Sequence, residues 1–121
     1  MVNVMDRFTR ATSALSDKTR LRIINLLASR ECCVCEVMQA LDISQTRASR
    51  NLKILNDAEF LIMRTDGQYT LYSLSDDIND FHFDLLKTTC AAIDTTSEAQ
   101  IDIERLKQSK RVELKYDAST A

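Results

Sequence analysis

The chain has 121 residues, 45% of them hydrophobic. That suffices for one domain with a core, although a domain of this size leaves much of its surface uncovered, so leftover apolar helix faces favour dimerisation. No apolar run reaches the ~18 residues of a membrane span, and the first ten residues, MVNVMDRFTR, lack the apolar stretch of a secretory signal, so a cytoplasmic protein without membrane contact is expected. The formal charge of −2 argues against a uniformly basic nucleic-acid binder but not against a local basic face.

Proline is absent and glycine occurs once, which predicts a mainly helical chain with few tight turns. Residues 5–15 read as a first helix with Phe8, Thr12 and Leu15 on one side, and Ser16 as the N-cap of the next. The second helix, 17–29, carries Leu21, Ile24, Leu27 and Ala28 on one face, widened by Ile23 and Leu26. A third, 31–41, buries Val34, Val37, Met38 and Leu41. Asp42 and Ile43 make a tight connection, and Ser44 caps a fourth helix, 45–57, with Ala48, Leu52 and Leu55 as its inner stripe.

The period then changes. Phe60, Ile62 and Arg64, and after them Tyr69, Leu71 and Ser73, alternate about Asp66-Gly67, a strong hairpin signal in which the lone glycine supplies positive φ. Ser75 is expected to cap a last clear helix running to Ile93, with Asp76 and Asp77 in its first turn. From Asp94 the chain is polar, with residues 98–110 read as partly helical and the last ten as disordered. The expected organisation is a DNA-binding and dimerisation domain over 1–94 and a polar extension over 95–121.

Two short helices joined by a tight turn and followed by a hairpin make a winged helix-turn-helix, an α+β fold that is mainly α. The second helix of the pair enters the major groove. Its inner stripe removed, that helix offers Gln45, Thr46, Arg47, Ser49, Arg50 and Lys53, with Ser44 at its start. Arginine pairs bidentately with guanine and glutamine with adenine, while serine, threonine and lysine suit phosphates. Between residues 44 and 64, Arg47, Arg50, Lys53 and Arg64 outnumber Asp57 and Glu59, a local +2 in a chain of −2. In the wing, Arg64, Gln68 and Tyr69 are the candidates for backbone or minor-groove contact.

Three of the four cysteines, Cys32, Cys33 and Cys35, fall within four residues, and Cys90 stands alone. In a reducing cytosol such a cluster points to metal binding or redox chemistry, and thiolates select soft or borderline ions such as zinc, Cu(I) and thiophilic metalloids. On a regular helix each residue turns by about 100°, so Cys32 and Cys35 share a face while Cys33 and Cys35 point nearly opposite ways. Three sulfurs could then meet at one ion only by distorting the helix, and the distortion would move the reading helix. Cys90, on an apolar helix, reads as a small hydrophobe, and His82 as an isolated interface histidine.

SALSDKTRLRIINLL, ECCVCEVMQAL, SQTRASRNLKIL and DGQYTLYSL together resemble the ArsR/SmtB family of bacterial metal-responsive repressors over residues 5–93. The E-x-C-V-C segment resembles the arsenic-responsive members most. The resemblance implies a homodimer joined by the first and last helices. It also implies binding to double-stranded operator DNA, released when trivalent arsenic or antimony, the inducer, binds the thiolates. Cys33 and Cys35 match the family's C-x-C. Met38 stands at the position of the third family cysteine, and Cys32 is an extra one that offers itself as replacement, with Cys90 the other possibility. Asp80 and His82 match the beginning of the family's zinc site on the last helix, but Ile93 and Thr96 stand where its later ligands belong.

Three other readings compete, one of them a constitutive DNA-binding module with structural zinc, which metal content and chelator sensitivity would separate from a sensor. The same fold acts as a thiol-based redox or reactive-sulfur sensor if Cys90 pairs with Cys32 or Cys33. Cys32 and Cys35 also have the C-x-x-C spacing of disulfide oxidoreductases, but no βαβ unit, nucleophile–base pair or phosphate loop accompanies it, so an enzyme is not expected.

Overall fold

The computed structural model describes residues 3–114. In chain order these form α1 (Val4–Leu15), α2 (Lys18–Ser29), α3 (Val34–Leu41), α4 (Gln45–Asp57), β1 (Leu61–Asp66), β2 (Tyr69–Leu74), α5 (Phe81–Ile93) and α6 (Ser97–Gln108). The mainly helical winged helix-turn-helix read from the sequence is the fold observed.

Helix α2 is the centre of the packing. Asp17 rather than Ser16 caps it, its carboxylate accepting the Arg20 N–H at 3.0 Å. The helix touches α1, α3, α4, α5, α6 and β2, and buries Ile23, Ile24, Leu26 and Leu27. A helix enclosed on so many sides buries the flank of its stripe, so Leu21 is only half-buried and Ala28 is exposed. Helix α1 approaches through the small Ala11 and Ala14, and leaves Phe8 41% exposed, edge-on to Phe81 at 5.3 Å.

Helices α3 and α4 meet at a turn in which Asp42 adopts φ 55° and the Ile43 N–H bonds the Met38 carbonyl at 3.2 Å. Aspartate tolerates this left-handed conformation better than most residues. Ala48, Leu52 and Leu55 of α4 join Val34, Val37, Phe60 and Tyr72 in the core.

The strands pair antiparallel from Leu61↔Leu74 to Asp66↔Tyr69, so the two-residue turn is Gly67-Gln68, with Gly67 at φ +60°. Beyond its first residue, β1 is exposed along its length. Leu61 alone of that strand is buried, and the expected alternation leaves Ile62 and Met63 exposed. A backbone bridge between Cys32 and Tyr72 ties the wing to the residues before α3.

Helix α5 starts at Phe81 rather than just after Ser75. The Asp77 carboxylate accepts the Asn79 N–H at 3.0 Å, a local turn that competes with helix formation, and Ile78 is exposed.

Helix α6, capped by Thr96, lies on α2 and α3 and buries Ala99, Asp102 and Leu106. Arg22 forks onto both oxygens of Asp102, each at 2.8 Å, and Arg30 donates to the Leu106 carbonyl at 3.2 Å. Asp102 is 1% exposed, so Arg22 is its principal charge partner and the pair clamps α6 to α2. Asp102→Ala is therefore expected to lower unfolding stability by about 2 kcal/mol, the usual scale for hydrogen bonds to charged groups, as read from urea denaturation. Residues 109–114 continue without helix. Most of the segment read as disordered, 115–121, lies outside the described residues.

Candidate nucleic-acid interface and thiol site

The reading helix α4 begins at Ser44, whose hydroxyl accepts the Arg47 N–H at 3.2 Å. Thr46, Arg47, Arg50 and Lys53 are exposed along its outer side. Gln45 is half-buried. Ser49 is not on the outer face: it is buried, because it follows Ala48 on the flank that packs inward. Arg20 reaches across from α2 to the Asn51 side-chain oxygen at 3.0 Å, and Asn51 donates to the Arg47 carbonyl at 2.9 Å. This buried tie fixes the orientation of α4, and nothing in the residue pattern announced it.

The wing candidates are placed differently from one another. Gln68 is exposed at the turn, and Tyr69 is half-buried with the Arg111 guanidinium 6.0 Å from its ring centre. Arg64 is exposed but forks onto the Glu31 carboxylate, so its charge is already engaged within the domain.

Around the cysteines the structure revises the expected geometry. Helix α3 starts at Val34, not residue 31, and Cys33 is its N-cap in extended backbone. Cys33 therefore leaves the helical turn, and its sulfur meets that of Cys35 as a disulfide pair, with Cα atoms 5.5 Å apart. No unwinding of α3 is needed to bring these two together. Cys32 faces the other way, because neighbours on an extended strand alternate. It sits fully buried in the main core, where burial pushes its thiol up to about 12, far from a thiolate at neutral pH. Cys90 is also remote, beside Leu74, Phe83 and Leu86, with its thiol raised by burial. Among the described residues no three His, Cys, Asp or Glu side chains converge for a metal ion. Two sulfurs are thus brought together, not the three expected.

The Cys33–Cys35 pair packs on Leu71 and borders a cleft of about 140 Å³, lined also by Gln68, Tyr69, Thr70, Val112, Glu113 and Leu114. The site lies between the first helix of the helix-turn-helix and the wing. A thiophilic centre fits two such sulfurs chemically.

Glu36 holds this corner together. It is buried, with one oxygen accepting the Cys33 N–H at 3.0 Å and Arg111 at 3.2 Å and the other accepting Arg30 at 2.8 Å. Burial alone would raise its pKa, but the Cys33 N–H, Arg30 and Arg111 outweigh it and hold the carboxyl below the ordinary range. The ionised form then adds stability above the unfolded value of about 4.3, and that stability is lost as pH falls through the lower folded value. Glu36→Gln is expected to flatten the decline in stability below about pH 4.3, checked by urea midpoints across pH 2.5–7. Glu36 was legible as a carboxylate three residues after a helix cap, the capping-box spacing, had the cap been placed at Cys33.

His82 is buried within the protomer, stacked on Phe81 at 4.2 Å and edge-on to Phe60 at 5.1 Å, rather than offered to an interface. Its Nδ1 lies 2.9 Å from Asp80, whose other oxygen takes Arg7 at 2.9 Å.

The arsR family of bacterial regulatory proteins matches at residues 17–62, from the cap of α2 into β1. The arsenic resistance transcriptional regulator ArsR2 of Pseudomonas putida is 40% identical over 80 residues, covering 65% of this chain and 70% of that protein. The chain belongs to the ArsR family. The arsenical resistance operon repressor of Bacillus subtilis, 32% identical over 75 residues, covers 61% of this chain and 71% of its own length. A solved winged helix-turn-helix DNA-binding domain from Mycobacterium bovis, described as homodimeric and a possible ArsR-family regulator, superposes with a TM-score of 0.62 at 24% identity. It covers 78% of this chain and 88% of the other. As a member of the ArsR family the chain is a transcriptional regulator, and no described helix is long and apolar enough to cross a membrane.

Proposed function

We propose that the protein represses transcription by binding operator DNA as a dimer, and that trivalent arsenic or antimony releases it by bonding to the reduced thiols of Cys33 and Cys35. The observation that carries this reading is the meeting of those two sulfurs, at the edge of a cleft between α3 and the wing. The arsenical-resistance names of its relatives support the choice of metalloid. With arsenite the chemistry balances without redox change: As(OH)3 and two thiols give a dithiolate As–OH and two waters. Cys32 and Cys90 are not ligands in this reading. Ser44, Gln45, Thr46, Arg47, Arg50 and Lys53 face the operator, with Gln68 and Tyr69 at the wing.

Dimerisation uses α1 and α5. Val4, Met5 and Phe8 leave an apolar strip exposed on α1, and Phe8 adjoins Phe81 of α5. Burying such a strip removes the exposed patch that a monomer would carry.

The test is operator binding by fluorescence anisotropy on the reduced protein, with arsenite added, alongside a count of free thiols. Loss of two thiols per protomer together with operator release is the expected result. Release without thiol loss, or thiol loss with full operator affinity, overturns the reading. A second reading rests on the disulfide: Cys33 and Cys35, rather than the Cys90 pairs weighed as an alternative from the sequence, lose two electrons and two protons to an external oxidant such as a peroxide and regain them from a thiol reductant. An operator affinity that changes on oxidation alone favours it.

A further inference from the structure

The segment after α6 does not run free. It turns back across α3 and reaches the wing. Gln39 holds it through a reciprocal pair of bonds, its amide donating to the Lys110 carbonyl at 2.7 Å and its oxygen accepting the Lys110 N–H at 3.0 Å. The Val112 N–H then points at the Cys35 sulfur at 3.4 Å. Between these two anchors stands Arg111. Its Nε lies 3.2 Å from Glu36 on α3, one terminal nitrogen lies 3.9 Å from Asp66 in the wing, and its guanidinium faces the Tyr69 ring.

We propose that residues 109–114 are a strap that carries occupation of the Cys33/Cys35 site to the wing, with Arg111 as the residue that connects them. The proposal deepens the thiol-site reading and rests on it. An atom bonded to the Cys35 sulfur from the cleft takes the place of the Val112 N–H. The strap is then displaced at Val112, one residue from Arg111. The guanidinium cannot keep both Glu36 and Asp66 once its backbone moves, because the longer of the two contacts is already at 3.9 Å. The wing loses its tie at Asp66, beside the hairpin turn, so its tip is free to shift while the Cys32–Tyr72 bridge and the Arg64–Glu31 pair hold its base. This gives the ligand two states with different contacts, which coupling requires. It also replaces helix unwinding, which the position of Cys33 makes unnecessary.

The experiment compares the reduced full-length protein with Arg111→Ala and Asp66→Asn, which remove the two ends of the wing contact. Both side chains are at least one-third exposed, so neither change empties the core. Operator affinity is measured by anisotropy with and without arsenite, and cysteine protection by alkylation and mass spectrometry. In the wild type, arsenite is expected to weaken operator binding by on the order of ten- to a hundred-fold. In Arg111→Ala, arsenite still protects Cys33 and Cys35, but the loss of operator affinity shrinks to under about three-fold. Asp66→Asn shifts it the same way. If Arg111→Ala is protected and released as the wild type is, the strap is not the relay and the inference fails while the thiol site stands. If Arg111→Ala is no longer protected, Arg111 belongs to ligand binding and the relay is likewise overturned. If the wild type itself is not released, the thiol-site reading has failed first.

Discussion

Serine in place of Cys33 or Cys35 is expected to abolish release of the operator by arsenite and to leave the arsenite-free affinity within about two-fold, the span of ~0.5 kcal/mol. In the proposed complex each thiol supplies one of the two protein bonds to the metalloid, and a serine hydroxyl is neither soft nor ionised at neutral pH. At position 33 the substitution also installs a preferred N-cap, so α3 should not fray. Cys32→Ser behaves in the opposite way. It places a hydroxyl in the main core, which costs about 1–3 kcal/mol if the group finds no partner, but arsenite is still expected to release the operator. Cys90→Ser retains release as well. Anisotropy for all four variants, with urea midpoints beside them, separates the sensor cysteines from the core cysteine. Full release by Cys33→Ser or Cys35→Ser would remove the thiol site from the mechanism.

Loss of an arginine from the outer face of α4 has the second large effect. Arg47→Ala and Arg50→Ala are each expected to weaken operator binding by roughly ten- to a hundred-fold, as removal of a base-reading or phosphate-bound arginine costs about 1–3 kcal/mol. Both are exposed on the helix that the fold presents to the groove. A phosphate contact declares itself by a shallower salt dependence, and a base contact by relaxed preference at one operator position. Ser49→Ala, by contrast, leaves affinity unchanged, because that side chain is buried on the inner flank. Arg64→Ala has a smaller effect than Arg50→Ala, since Arg64 must first give up Glu31 to reach DNA.

Helices α4 and α3 differ in how much of their structure is encoded locally. Ser44 and the stripe Ala48, Leu52 and Leu55 fall at helical spacing, so the bounds of α4 and most of its outer face follow from local pattern. For α3 the local pattern misleads. Residues 31–33 are polar or small enough for a helix, yet the exchange of both backbone hydrogen bonds between Cys32 and Tyr72 holds them extended. That partner lies 40 positions away in the chain, and periodicity carries no information about it. The same holds for α5, where an Asp77 turn displaces the start that Ser75 suggested.

What the sequence by itself determined is the helix-turn-helix and its wing, the basic outer side of α4, and the placing of a thiol cluster at the start of the first helix of the helix-turn-helix. These depend on spacing within a dozen residues, where hydrophobic period, caps and a single glycine act locally. What only the tertiary structure decided is which thiols meet. Cys33 and Cys35 come together and Cys32 turns into the core because a strand-like bridge to Tyr72 alternates their side chains. The strap over them forms because Glu36 and Gln39 on α3 capture Arg111 and Lys110 from the far end of the chain. Contacts between residues more than seventy positions apart arise from packing, and no local pattern encodes them.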